Sequence, residues 1–266
     1  VAAGVNVAGL GLSRLTEQQV VAHLIDALRD GQGGWVATPN VDICRAVRRD
    51  PAVRALIGQA SLTVADGMPL LWAARLRGTP LPERVTGASL IFSISAAAAR
   101  HGQSVYLLGG EPGVPERAAE QLIRRCPGLR VAGTDAPPFG FDATEQGVAE
   151  LRDRLTQASP DVVFVGLGCP KQERLITRLA PALPTAWFIA CGAAIPFAAG
   201  ALQRAPHWMQ RAGLEWAYRL ASEPRRLMRR YLVDDLPFAA RLLASSAVYR
   251  LRAGAQSRSP HEAGRP

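Results

Sequence analysis

Several short polar segments each follow an apolar run, and they are where this chain could do chemistry. They read Thr38-Pro39-Asn40, Asp66-Gly67, Gly109-Gly110, Gly166-Leu167-Gly168 and Cys191-Gly192. Asp66 is a lone carboxylate at the end of an apolar strand, followed by glycine. Partial desolvation there would raise its pKa and suit it to take a proton as a general base. The same carboxylate could instead cap the helix that begins near Pro69. Thr38 and Asn40 offer a hydroxyl and an amide at a neighbouring strand end, and capping of the next helix is their alternative use.

The glycine-rich turns point to phosphate. Gly109-Gly110-Glu111-Pro112-Gly113 stands between a strand and a helix, so its amides could approach an anion, although a tight turn explains it equally well. It lacks the G-x-G-x-x-G pattern. Gly166-Leu167-Gly168-Cys169-Pro170 leads into Lys171, Gln172 and Glu173 at a helix start. No Gly-Lys-Ser/Thr follows, so this is not a P-loop, and a solvated first turn is the plain alternative for Lys171 and Glu173. Arg84, within Glu83-Arg84-Val85-Thr86-Gly87, could clamp a diphosphate or pair with a carboxylate. No D-x-D, H-E-x-x-H or G-x-S-x-G occurs, and the four histidines fall on helix faces or in the tail. The four cysteines are widely spaced, as suits buried thiols in a reducing compartment and not a zinc site. No metal and no cofactor is expected.

The elements that must carry these segments alternate regularly. Thr16 and Gln19 form a capping box, with Val20, Leu24 and Leu28 on one helix face and Gly31 at its end. Strands are predicted at Trp35–Thr38, Leu62–Ala65, Ser104–Leu108, Leu129–Ala132, Asp161–Gly166 and Thr185–Ala190. Helices are predicted between them, including one opened by Asp50-Pro51 and others at Pro69–Arg77, Ala88–His101, Pro115–Arg125, Thr144–Gln157 and Lys171–Leu179. This is the pattern of an α/β, Rossmann-like fold, a mostly parallel sheet with helices on both faces. Ligands of such sheets bind beyond the carboxyl ends of the strands, where the polar segments lie. After Ala205-Pro206 only helices are expected, at about 207–221, 224–232 and 235–252. The organisation is thus an α/β core over 1–203, a C-terminal all-helical appendage over 204–252 and a disordered tail over 253–266.

Charge separates these parts. The net charge is +9, and residues 201–266 hold twelve arginines against five acidic residues, interleaved with Trp208, Trp216, Tyr218 and Tyr231. A near-neutral body with a basic, aromatic-studded tail implies an anionic partner: a membrane surface, a nucleic acid or a phosphorylated substrate. Lys171 is the only lysine. Residues 179–203 carry no charge and are long enough to span a bilayer, but Pro181, Pro184, Gly192, Pro196 and Gly200 interrupt them, so a buried strand and a short helix are expected instead. No signal peptide is expected from the first residues.

Taken together, these segments resemble the WecG/TagA/CpsF glycosyltransferases, glycosyltransferase family 26. The likeness runs from Thr38-Pro39-Asn40 through Ala65-Asp66-Gly67, Glu83-Arg84-Val85-Thr86-Gly87, Leu107-Leu108-Gly109-Gly110 and Gly166–Glu173. It continues in Arg204-Ala205-Pro206, Gly213-Leu214-Glu215-Trp216-Ala217-Tyr218-Arg219-Leu220 and Glu223-Pro224-Arg225-Arg226. The resemblance implies an inverting, metal-independent transfer of a sugar from a UDP-sugar to a saccharide on a polyprenyl diphosphate, in cell-surface polysaccharide synthesis. N-acetylmannosamine, its uronic acid and glucose are the candidate sugars. It implies Asp66 as the base, with Thr38 and Asn40 positioning substrate and Arg84 and Gln172 holding donor or acceptor. It also implies Arg219, Arg226 and Arg229 on the UDP diphosphate. Gly67, Gly109, Gly110, Lys171 and Glu173 complete the expected substrate contacts. The appendage would dock on the cytoplasmic face of the cell membrane without spanning it. A nucleic-acid-binding module, a dinucleotide-dependent oxidoreductase and a tail that joins subunits into a homo-oligomer are the competing readings.

Overall fold

The computed structural model describes residues 4–256, the side chains of His207, Arg211, Arg226 and residues 253–256 excepted. It opens with an antiparallel hairpin, β1 (Val5–Val7) and β2 (Leu10–Leu12), that the sequence pattern did not reveal. Three residues per strand are too few to show a period. The turn residues Ala8 and Gly9 both take positive φ, 56° and 88°, as a tight reversal between twisted strands requires.

The alternation then proceeds as expected. Helix α1 (Glu17–Arg29) carries the Thr16/Gln19 capping box. β3 (Gly34–Ala37) leads to α2 (Val41–Arg49) and α3 (Pro51–Ile57), the latter capped by Asp50. β4 (Leu62–Thr63), α4 (Met68–Leu76), α5 (Gly87–His101), β5 (Ser104–Leu108), α6 (Val114–Arg125) and β6 (Arg130–Asp135) follow. α7 (Glu145–Ala158), β7 (Val162–Val165), α8 (Lys171–Leu179), β8 (Trp187–Ala190) and α9 (Ala194–Ala198) complete the α/β part.

β3 to β8 form one parallel sheet of six strands in the order β4-β3-β8-β7-β5-β6. β5, β7 and β8 are buried along their whole length, which explains their unbroken apolar runs. Alternate residues feed two cores. Trp35, Phe188 and Val163 face one side with α2, α3, α4, α7 and α8, while Val36, Ile189 and Phe164 face the other with α1, α5, α6 and α9. Burying an aromatic side chain such as Phe164 or Phe188 contributes about 2–3 kcal/mol. The uncharged stretch after Leu179 is accounted for by β8 and α9, and no helix among the described residues is long and apolar enough to cross a membrane.

The appendage departs from expectation at two points. The single helix expected at 207–221 is two, α10 (His207–Ala212) and α11 (Glu215–Ser222), because Gly213 at φ 76° ends the first in a left-handed cap. The break expected near 233 is absent. α12 (Pro224–Met228) runs through a wider, π-type turn (Arg229–Asp235) into α13 (Leu236–Gln256). The Leu236 N–H donates to the Tyr231 carbonyl, five residues back. Pro237 has no N–H to give, and the wide turn just before it absorbs that loss without a break. α13 continues through 253–256, where the sequence suggested a disordered tail; residues 257–266, the rest of that tail, lie outside the described residues. α13 packs on α4, with Leu242 buried in the first core and the Arg77 guanidinium 3.9 Å from the Tyr249 ring centre.

Candidate active site

Parallel strands bring all their carboxyl ends to one edge, and there the appendage closes over a cleft of about 820 Å³. The sheet edge contributes Thr38, Asp66, Gly166 and Cys191, and the appendage contributes Glu215, Arg219 and Arg230. Asp66 lines this cleft just past the end of β4. Its backbone N–H is held by the Pro39 carbonyl at 2.9 Å, which joins the ends of β3 and β4. The cap position of α4 is Gly67 and no side chain caps it, so the Asp66 carboxylate is not spent on capping. Burial pushes its pKa up to about 6. Attraction by Arg84 and Arg204 and the Gly87 N–H oppose that rise, while repulsion by Glu215 adds to it.

Arg84 pairs with a carboxylate from the appendage. Its Nη1 lies 2.8 Å from Glu215 Oε2, both side chains 15 % exposed. Arg204 Nε reaches the other oxygen, Oε1, at 3.3 Å, and Arg204 Nη2 donates to Thr86 Oγ1 at 3.2 Å. Neither Glu215 nor Arg204 was singled out from the sequence for a role, although both stand in the segments that carry the resemblance. The signal was their polarity inside otherwise apolar or turn-forming motifs.

The other expected residues divide between cleft and scaffold. Thr38 lines the cleft, but its hydroxyl donates to the Ala190 carbonyl at 2.7 Å and ties β3 to β8. Asn40 also lines it while its Oδ1 accepts the Ile43 N–H at 3.1 Å as the α2 cap. Gln172 is buried in the cleft wall, accepting the Gly192 N–H at 3.2 Å and donating to Glu173 Oε1 at 2.9 Å. Glu173 lies behind it, outside the cleft lining, with burial raising its carboxyl pKa. Lys171 points elsewhere: its Nζ lies 2.9 Å from Asp142 Oδ1 and 4.8 Å from the Phe141 ring centre. Gly67 and Gly110 line the cleft. Gly109 does not, and it is needed for closeness, because a Cβ there would lie 2.6 Å from the Gly166 carbonyl at φ 117°.

Of the appendage arginines expected to meet substrate, Arg219 lines the cleft; its Nη2 lies 4.0 Å from Glu223 Oε1, and its Nε is buried with no hydrogen-bond partner among the described residues. Arg229 is exposed and outside the lining. The side chain of Arg226 lies outside the described residues. Arg230, which the sequence did not single out for the site, faces the cleft instead, with Nη2 2.9 Å from Asp42 Oδ2. Asp42, Asp234 and Asp235 also surround Arg45 from α2, which joins the π-type turn to the core. Burial, and then the neighbouring Asp42, push Asp235 up to about 6.

A desolvated carboxylate facing arginines in a carboxyl-edge cleft suits transfer of a group away from an anionic leaving group. Among the described residues no group of three or more His, Cys, Asp or Glu side chains could hold a metal ion. These features define a Rossmann-like group-transfer enzyme. The model of the glycosyl transferase WecG/TagA/CpsF family matches residues 5–252, so the chain belongs to that family and is a glycosyltransferase. It is similar to the N-acetylglucosaminyldiphosphoundecaprenol N-acetyl-beta-D-mannosaminyltransferase of Bacillus spizizenii, with 30 % identity over 210 residues and 79 % of each chain covered. The Bacillus subtilis protein of the same name is 27 % identical over 197 residues, covering 74 % of this chain and 75 % of the relative.

Proposed function

We propose that this enzyme transfers N-acetylmannosamine from a UDP-sugar to an N-acetylglucosaminyl diphospho-polyprenol, with inversion and without a metal. The observation that carries the reading is Asp66: a carboxylate in the cleft, free of capping duty and raised to about 6. In the reaction its oxygen takes the proton of the acceptor hydroxyl as that oxygen bonds to the anomeric carbon. The bond from that carbon to the UDP oxygen breaks, and the pair of electrons leaves with the diphosphate. One base on the acceptor face and a leaving group on the other give inversion. Arg219 and Arg230, whose side chains line the cleft, meet the departing charge, and the resemblance adds Arg226. The sugar and acceptor follow the names of the Bacillus relatives.

The acceptor's lipid requires contact with a bilayer. Trp208, Met228 and Val233 are exposed on the appendage beside its arginines, which supports peripheral docking on the anionic inner face of the cell membrane. The test is a panel of UDP-sugars with a synthetic N-acetylglucosaminyl diphospho-lipid, read by mass spectrometry with and without EDTA. UDP-N-acetylmannosamine is expected to give product at equal rate in both. Asp66→Asn is expected to lose about 10²–10⁴-fold in kcat while still binding UDP. Near-normal turnover by that variant would refute the base assignment, and EDTA-sensitive turnover would refute metal independence.

A further inference from the structure

We propose that Glu215 is the positioning residue for Asp66, a carboxylate supplied by the appendage that neutralises both arginines flanking the base. The proposal rests on the reading of Asp66 as the base. Glu215 is the first residue of α11 and binds two guanidiniums through different oxygens, Arg84 at 2.8 Å and Arg204 at 3.3 Å. Arg204 is further fixed by Thr86 Oγ1 at 3.2 Å and the Ala88 carbonyl at 3.5 Å, at the start of α5. Among the described residues, the charged groups acting on Asp66 are Arg84, which enters just before α5, Arg204, which follows α9, and Glu215 from α11.

A base facing two uncompensated guanidiniums would hold its negative charge tightly and accept a proton poorly. With Glu215 in place the cluster of two arginines and two carboxylates is balanced when Asp66 is ionised. Glu215 is contributed by α11, whereas Arg84 and Asp66 belong to the core, 131 and 149 positions earlier. The charge that offsets the arginines at Asp66 therefore comes from α11 and adds to the larger effect of burial.

The test is the pH dependence of kcat for the full-length enzyme and three variants. Glu215→Gln is expected to move the acidic limb down by at least about half a pH unit and to lower kcat near neutral pH about 10-fold. Glu215→Asp should bring the limb part of the way back. Arg204→Gln, which removes a positive neighbour, should move it up. Opposite shifts for Glu215→Gln and Arg204→Gln support the proposal, since loss of packing alone would move neither limb. An unmoved limb in Glu215→Gln, with lowered kcat and lowered Tm only, overturns it. An acidic limb that survives in an active Asp66→Asn enzyme overturns the base assignment beneath it instead.

Discussion

Asp66→Asn, which should lower kcat about 10²–10⁴-fold, should also stabilise this protein, and the stabilisation should appear only above a particular pH. Burial raises the Asp66 carboxyl from 3.8 to about 6, so the folded chain binds that proton more tightly than the unfolded chain does. Native stability then falls as pH rises from near 4 through about 6, and the loss is complete above that. At about 1.4 kcal/mol per pH unit, the full loss is about 3 kcal/mol, reduced where water in the cleft screens the charge. The asparagine keeps an oxygen for the Gly87 N–H but carries no charge to desolvate. At pH 7.5 it should therefore gain about 1–3 kcal/mol, a Tm increase of about 2–5 °C for a chain of this size. At pH 4, where the wild-type carboxyl is already protonated in the fold, the gain should shrink towards zero. Thermal unfolding of both proteins at the two pH values measures this directly. A variant that is equally or less stable at pH 7.5, or whose gain is the same at pH 4, would refute the claim that Asp66 is held against its ionised state.

Three further outcomes are expected. Arg45→Ala removes the shared partner of Asp42, Asp234 and Asp235 and should cost about 2–4 kcal/mol in urea unfolding, with the π-type turn the first segment to gain amide exchange. Arg219→Ala should lower kcat about 10–100-fold while costing less than about 1 kcal/mol of stability, because the guanidinium's pair with Glu223 is long, at 4.0 Å, and partly exposed. Lys171→Met breaks a half-exposed pair with Asp142 and should cost less than about 1 kcal/mol, with turnover within about two-fold of wild type; a large loss of kcat would return Lys171 to the reaction.

The sequence alone determined what depends on near neighbours. The capping box at Thr16, the Asp50-Pro51 start and the unbroken apolar strands are local signals, and each forms where its residues predict. The place of Asp66 was legible for a second reason: parallel strands joined by helices must bring their carboxyl ends to one edge, so a polar residue after each strand faces a shared cleft. Only the tertiary structure decided which charges meet there. Arg84 and Glu215 stand 131 positions apart, and no periodicity links them. Neighbouring residues of a helix point about 100° apart, and only the packing of the Arg229–Asp235 turn decides that Arg230 faces the cleft and Arg229 does not. Lys171 was read at the cleft's edge from its place at a helix start, but the side chain turns to Asp142, which only the packing of the 141–143 turn brings near. Backbone pattern is written in neighbouring residues, whereas a cleft's charge is the sum of side chains that folding brings together.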